Sequence, residues 1–197
     1  MSKGEDTKER ILEQTAPLFN KYGYFGASLA DVLKVTGLGK GGIYNHFGSK
    51  EELAMEAFER SARCVLQRFT DRLEGKTSAV DRLLVYPEIF RGNFADPPVP
   101  GGCPILNTAI ESDDAHPMLR ERAQAAMDRW RMRIRTIVED GKSSGELKDD
   151  LNGDAIATYI IATLEGATMM SRLYGDPIHL ERASQMVSEF IRRELPA

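Results

Sequence analysis

The chain has 197 residues, 42% of them apolar, with 26 basic and 30 acidic side chains and a formal charge of −4. That length suits one ordinary domain or a small one joined to a larger one, and such a chain buries roughly 70% of its unfolded surface without a metal or disulfide staple. The composition excludes disorder as the main state, the lack of a run of about 18 apolar residues argues against a membrane span, and the acidic balance argues against indiscriminate nucleic-acid or membrane binding. Met1 to Arg10 is polar and mixed in charge, unlike a secretory signal, so a cytoplasmic protein is the expectation. Cys64 and Cys103 stand 39 positions apart, and His46, His116 and His179 are scattered. Neither pattern makes a disulfide framework or a metal site, and no cofactor is expected.

The charge is uneven. Residues 1–50 hold seven basic and five acidic side chains, leaving −6 on the remainder. This becomes informative only if the cations cluster where a motif would place them.

In chain order the pattern is helical throughout. Ile11, Leu12, Thr15, Phe19 and Tyr22 predict a first helix over about Asp6 to Tyr22, stopped by Gly23, with Pro17 as a candidate kink. After the turn 23–26, Ser28 and Asp31 form a capping-box-like start to a second helix that ends at Gly37. A short third helix runs from Gly39 or Lys40 to Phe47. A long fourth follows Gly48-Ser49, with Leu53, Ala57, Phe58, Cys64 or Val65, and Phe69 on its apolar face. Further helices are predicted over about 78–94 (Pro87 a candidate kink), 104–112, 117–143, 154–174 and 177–195, with the Pro/Gly-rich loop 96–102 between the first two.

Segment 28–50 carries the chemistry. Two short helices joined through Thr36-Gly37-Leu38-Gly39 have the dimensions of a helix-turn-helix, with Leu38 folding back onto Leu29, Val32, Leu33, Ile43 and Phe47. Lys40, Gly41, Gly42, Tyr44, Asn45 and His46 are left outside that small core, a basic, hydroxylic and amide face suited to phosphate and base contacts. Lys50 adds a cation beside the free amides of a helix start. The same spacing also fits an ordinary turn between two helices, with Tyr44 only covering the core and His46 only solvated.

Arg10-Ile11-Leu12, Leu18 to Tyr24, Ser28 to Val32 and Gly37 to Leu53 resemble the DNA-binding domain of TetR-family transcriptional regulators. The family pattern is Lys-Gly-small-aliphatic-Tyr-X-X-Phe, followed two residues later by Lys-Glu-X-Leu, and this chain keeps its order and spacing over about 45 residues. The segment Gly102 to Asn107, with Glu111 and His116-Pro117, resembles one subgroup. Two positions depart from the pattern: Gly39 stands where Ser or Thr is usual, and Gly42 where Thr, Ser or Ala is usual.

The resemblance implies an all-α protein of about nine helices. An N-terminal three-helix DNA-binding domain over 4–64 would hold the helix-turn-helix at about 27–46, and a ligand-binding and dimerisation domain would span 65–197. It implies DNA contacts from Ser28, Thr36, Lys40, Gly41, Gly42, Tyr44, Asn45, His46 and Lys50. The partners implied are double-stranded operator DNA, a small organic effector, and a second copy bound through the last two helices (154–174 and 177–195).

On those two helices, Ile156, Ile160, Thr163 or Leu164, Ala167, Ser171 and Tyr174 share one face, as do Leu180, Ala183, Val187 and Phe190 or Ile191. Such faces suit an interface or an internal core. Apolar and Met-rich pocket candidates are Tyr86, Phe90, Phe94, Cys103, Leu106, Met127, Trp130, Ile134, Tyr159, Thr163, Met169 and Met170. The functional expectation is a ligand-released repressor. Its alternatives are a redox or electrophile sensor acting through Cys103, and a helical interaction module or enzyme that binds no DNA.

Overall fold

The computed structural model describes residues 3–197, and Met1 and Ser2, the start of the polar N-terminal stretch, lie outside the described residues. Those residues form nine helices and no strand: α1 (Lys3–Gly26), α2 (Leu29–Thr36), α3 (Lys40–Tyr44), α4 (Lys50–Leu73), α5 (Ala79–Ala95), α6 (Pro104–Ser112), α7 (Pro117–Ser143), α8 (Gly153–Tyr174) and α9 (Ile178–Glu194). The all-α class is as expected, and the bounds from α5 onward lie within one residue of those read from the sequence. No helix among the described residues is long and apolar enough to cross a membrane.

Two details of the N-terminal helices differ. Pro17 sits inside α1 without breaking it; the non-helical residue is Gly23 (φ 74°, ψ 173°), after which one more turn runs to Gly26. Helix α3 stops at Tyr44 rather than Phe47, although the Phe47 amide still donates to the Ile43 carbonyl at 3.1 Å.

The helices fall into two compact units. The first comprises the described residues up to 65 together with 98–125; the second comprises 66–97 and 126–197. The expected boundaries placed all of 65–197 in one domain. The structure instead packs 98–125 with the N-terminal helices, because side-chain amides and carboxylates tie that segment to α1. Asn107 Nδ2 donates to the Asn20 carbonyl, Asn20 Oδ1 and the Gly101 carbonyl, each at 3.0 Å. Asn20 Nδ2 donates to the Pro100 and Gly102 carbonyls at 3.1 Å. Gly101 has φ +122°, and a Cβ there would lie 2.9–3.0 Å from Asn20, so only glycine lets the loop approach this closely.

In the first unit Ile11, Leu12, Ala16, Val32, Ile43, Phe47, Leu53 and Ala57 form the core, with Leu29, Leu33 and Leu38 packed against it. Thr15 is buried and donates its hydroxyl to the Ile11 carbonyl at 2.8 Å. Tyr22, expected on the apolar face, is exposed because the face turns away before the break at Gly23.

The core of the second unit is aromatic. Phe69 lies 5.0 Å from Tyr86 and 5.2 Å from Trp130, ring centre to ring centre, and Phe90 stacks on Trp130 at 5.4 Å and 8°. Burial of each large side chain contributes roughly 1.5–3 kcal/mol, with about 0.5–1.5 kcal/mol more for each well-placed ring pair.

Candidate nucleic-acid interface and effector site

Helix α2 is capped at both ends. The Asp31 amide donates to Ser28 Oγ at 3.2 Å, and the Ser28 amide donates to Asp31 Oδ2 at 2.9 Å, completing a capping box. The Ser28 hydroxyl also donates to Asp31 Oδ2, and this bond, with that of the Ser28 amide, holds the Asp31 carboxyl below its ordinary value. Gly37 closes the helix in the left-handed region (φ 65°), its amide bonded to the Leu33 carbonyl. Leu38 then drops into the core, and α3 starts from Gly39 with no side-chain cap.

On α3, Ile43 is buried while Lys40, Gly41 and Tyr44 are exposed, as is Asn45 just after it. The two glycines differ. A Cβ at Gly42 would sit 3.3 Å from Leu38 Cβ, so this glycine is explained by packing, whereas a Cβ at Gly41 would meet nothing within 4 Å. The backbone at Gly41 is therefore open to a close-fitting partner. His46 is half-buried, its ring 6.5 Å from that of Phe47.

Two expectations change here. Thr36 does not face outward: it is buried, and its hydroxyl donates to the Val32 carbonyl at 2.8 Å, a local bond of the kind threonine makes inside helices. The start of α4 is also not a row of free amides. Glu52 Oε2 accepts from the Gly48 amide at 2.6 Å, and the Glu52 amide donates to Ser49 Oγ at 3.1 Å. Lys50 is half-buried; its Nζ donates to the Tyr24 carbonyl at 2.6 Å and lies 4.5 Å from the centre of the Tyr24 ring.

Beside this face the first unit holds a polar lattice that only the subgroup resemblance hinted at. Glu111 accepts from the Tyr24 and Phe25 amides at 2.9 and 3.0 Å. Buried His116 accepts the Leu119 amide at Nδ1 (3.3 Å), so Nε2 carries the proton it gives to Glu51 Oε1 at 3.1 Å. Glu111 and His116 thus hold backbone and side chains in place. Cys103 is half-buried at the N-cap of α6. No cluster among the described residues could hold a metal ion.

The pocket candidates scatter. Tyr86, Phe90, Trp130 and Ile134 are buried together in the second unit, with Phe94, Met127 and Thr163 half-buried there. Cys103 and Leu106 belong to the first unit. Tyr159, Met169 and Met170 are 38%, 49% and 40% exposed, on the outside of α8 rather than in the interior. Among the described residues, the buried Tyr86 Oη and Trp130 Nε1 in the second unit have no hydrogen-bond partner. Burial pushes the Tyr86 hydroxyl above its ordinary value, against the opposing pull of Arg133 and Arg82, so it stays a proton donor.

The predicted faces of α8 and α9 are also turned inward. Ile156, Ile160, Leu164, Ala167 and Ser171 are buried, as are Leu180, Val187 and Ile191, which makes them core. The outer stripe carries the exposed apolar groups instead: Tyr159, Met169, Met170, Leu173 and Tyr174 on α8, and Met186 on α9, with the Tyr159 and Phe190 rings 4.7 Å apart. Helical spacing could not decide which face was inner, because small and apolar residues occupy both.

Residues 11–57 match the family described as bacterial regulatory proteins, tetR family, and residues 79–187 match the tetracyclin repressor-like C-terminal domain. A TetR transcriptional regulator from Chloroflexus aurantiacus is similar in structure, with a TM-score of 0.96, 46% identity, and coverage of 100% of this chain and 99% of that one. A TetR-family regulator from Cytophaga hutchinsonii gives a TM-score of 0.91 at 35% identity, covering 98% and 96%. The HTH-type transcriptional regulator LmrA of Bacillus subtilis is 27% identical over 190 residues, 95% of this chain and 98% of its own.

Proposed function

Because the chain belongs to the TetR family of bacterial regulatory proteins, we propose that it is a repressor that holds a palindromic operator as a homodimer and leaves it when a small organic effector binds. Members of this family are regulators of transcription, not enzymes. The observation that carries the reading is the division of α3: Ile43 anchors it to the core while Lys40, Gly41, Tyr44 and Asn45 stand exposed in sequence order along one short element. A helix this short reads few bases. Two copies about 34–36 Å apart read two half-sites.

The outer stripe of α8 and α9 supports pairing through those helices, since an apolar stripe that size is unusual on a surface left in water. The buried donors Tyr86 Oη and Trp130 Nε1 support an effector held in the second unit. Unpartnered, each costs about 1–3 kcal/mol, and an effector offering an acceptor oxygen against the aromatic cluster would remove that cost. Cys103, a half-buried cysteine with no disulfide at the start of α6, supports a second reading, release by thiol modification.

The test starts by selecting an operator duplex from random-sequence DNA with the wild-type protein. Log affinity should fall linearly with log salt, and Lys40→Ala, which removes one lysine from each half of the dimer, should flatten the slope by about 1.8. No selected sequence, or no salt dependence, would leave only a helical interaction module. Alkylation that releases operator from wild type but not from Cys103→Ser would move the trigger from effector to thiol.

A further inference from the structure

Lys50 and Glu111 are joined through one residue, Tyr24. The Tyr24 carbonyl accepts from Lys50 Nζ at 2.6 Å, and the Tyr24 amide donates to Glu111 Oε2 at 2.9 Å. The other carboxylate oxygen takes the next amide, that of Phe25, at 3.0 Å. Both oxygens of Glu111 therefore grip consecutive amides just past Gly23, where φ of +74° turns the chain. The fit is close: a Cβ at Gly23 would overlap the Glu111 carboxylate. The Tyr24 ring is fixed as well, against His116 at 4.8 Å edge-on and beneath the Lys50 ammonium at 4.5 Å.

We infer that Glu111 is a positioning residue for DNA binding: it fixes the Tyr24 peptide, and that peptide and its ring fix the ammonium of Lys50. The inference rests on the reading of Lys50 as a phosphate contact. A lysine at a helix start ordinarily sweeps a wide arc on its four-carbon stem, and that freedom is lost when it meets a phosphate. Here the arc is already restricted. One of the three ammonium hydrogens is given to Tyr24, and two remain for an anion. Because Glu111 belongs to α6 and not to the helix-turn-helix, the geometry of a DNA contact depends on a segment that is nearly ninety positions away in sequence from the turn it grips.

The experiment measures the salt dependence of binding to the operator duplex selected by the wild type, for Lys50→Ala, Glu111→Ala, Glu111→Gln and the double variant K50A/E111A, each checked by thermal melting. Lys50→Ala, which removes one lysine from each half of the dimer, should flatten the slope by about 1.8, which tests the phosphate reading by itself. Glu111→Ala should flatten it by the same amount, and the double variant should be no weaker than Lys50→Ala alone. A Glu111→Ala protein that binds more weakly at an unchanged slope, with its loss adding fully to that of Lys50→Ala, would reduce Glu111 to a structural residue and overturn the inference. An unchanged slope for Lys50→Ala would overturn the phosphate reading, and this inference with it. Should Glu111→Ala fail to fold, Glu111→Gln, which keeps one acceptor oxygen and the side chain's shape, is judged by the same two criteria.

Discussion

The two compact units differ in the polar groups of their interiors. In the first, Asn20, Asn107, Glu111, His116 and Lys50 each bond across elements, and most of those bonds end on backbone. In the second, the aromatic core keeps Tyr86 Oη and Trp130 Nε1 buried and unpartnered. A satisfied lattice makes a rigid frame, which suits a surface that must match DNA spacing. Unmet donors in an apolar interior cost stability, and they give a ligand something to repay.

If the first unit is a frame, breaking its lattice should cost more than any comparable deletion in the second. Gly101→Ala should do most, lowering stability by about 3 kcal/mol, because it forces an alanine to a positive φ and drives its Cβ into Asn20. Asn107→Ala should follow at about 2 kcal/mol, since it leaves the Asn20 and Gly101 carbonyls short of a donor. Denaturant midpoints read both, and near-neutral values for either would show that the lattice is decoration and the contrast between units false.

Tyr86→Phe should then go the other way, stabilising the protein by about 1 kcal/mol while weakening any effector that accepts from the hydroxyl. The sign has a pH signature. The folded-state value of Tyr86 is raised, so its contribution is fully present below the ordinary tyrosine value of 10.0 and is lost as pH rises above it. Wild type should lose stability in that alkaline range more steeply than Tyr86→Phe. Equal alkaline limbs would mean the hydroxyl is not buried as the structure has it.

Much of this was legible in the sequence. Ser28, Asp31, Gly37 and the Leu38 return define the helix-turn-helix because capping, left-handed closure and apolar spacing are local. The later helices were bounded by Pro and Gly for the same reason. What could not be read was tertiary. Thr36 looks like a contact until its hydroxyl is seen bonded one turn back. Which face of α8 is inner is not legible either, because small and apolar residues line both. Nothing local shows that Asn107 and Glu111 reach back to Asn20 and Tyr24 across more than eighty positions. Glycines also look alike in sequence: Gly42 makes room for Leu38, and Gly41 leaves backbone open.

The smallest expected effect concerns the capping box, which lies on the frame side of the comparison. The Ser28 bonds hold the folded-state carboxyl of Asp31 below its ordinary value of 3.8. A group depressed in this way adds stability that is present above the ordinary value and is lost as pH falls through the folded one. Glu146, in the second unit, shares the sign: its own burial pushes upward, but the Ser78 hydroxyl and the Val80 and Ala79 amides prevail. The acid limb of the stability curve therefore belongs to both units, and only Asp31→Asn separates the part due to α2. Melting temperatures of that variant and of wild type, followed from pH 7 to pH 2.5, should converge slightly at the acid end. The Asp31 carboxyl is open to solvent, which screens its charge, so the convergence should be small. A large one would show that the frame depends on this one cap far more than on the lattice around Glu111 and Asn107.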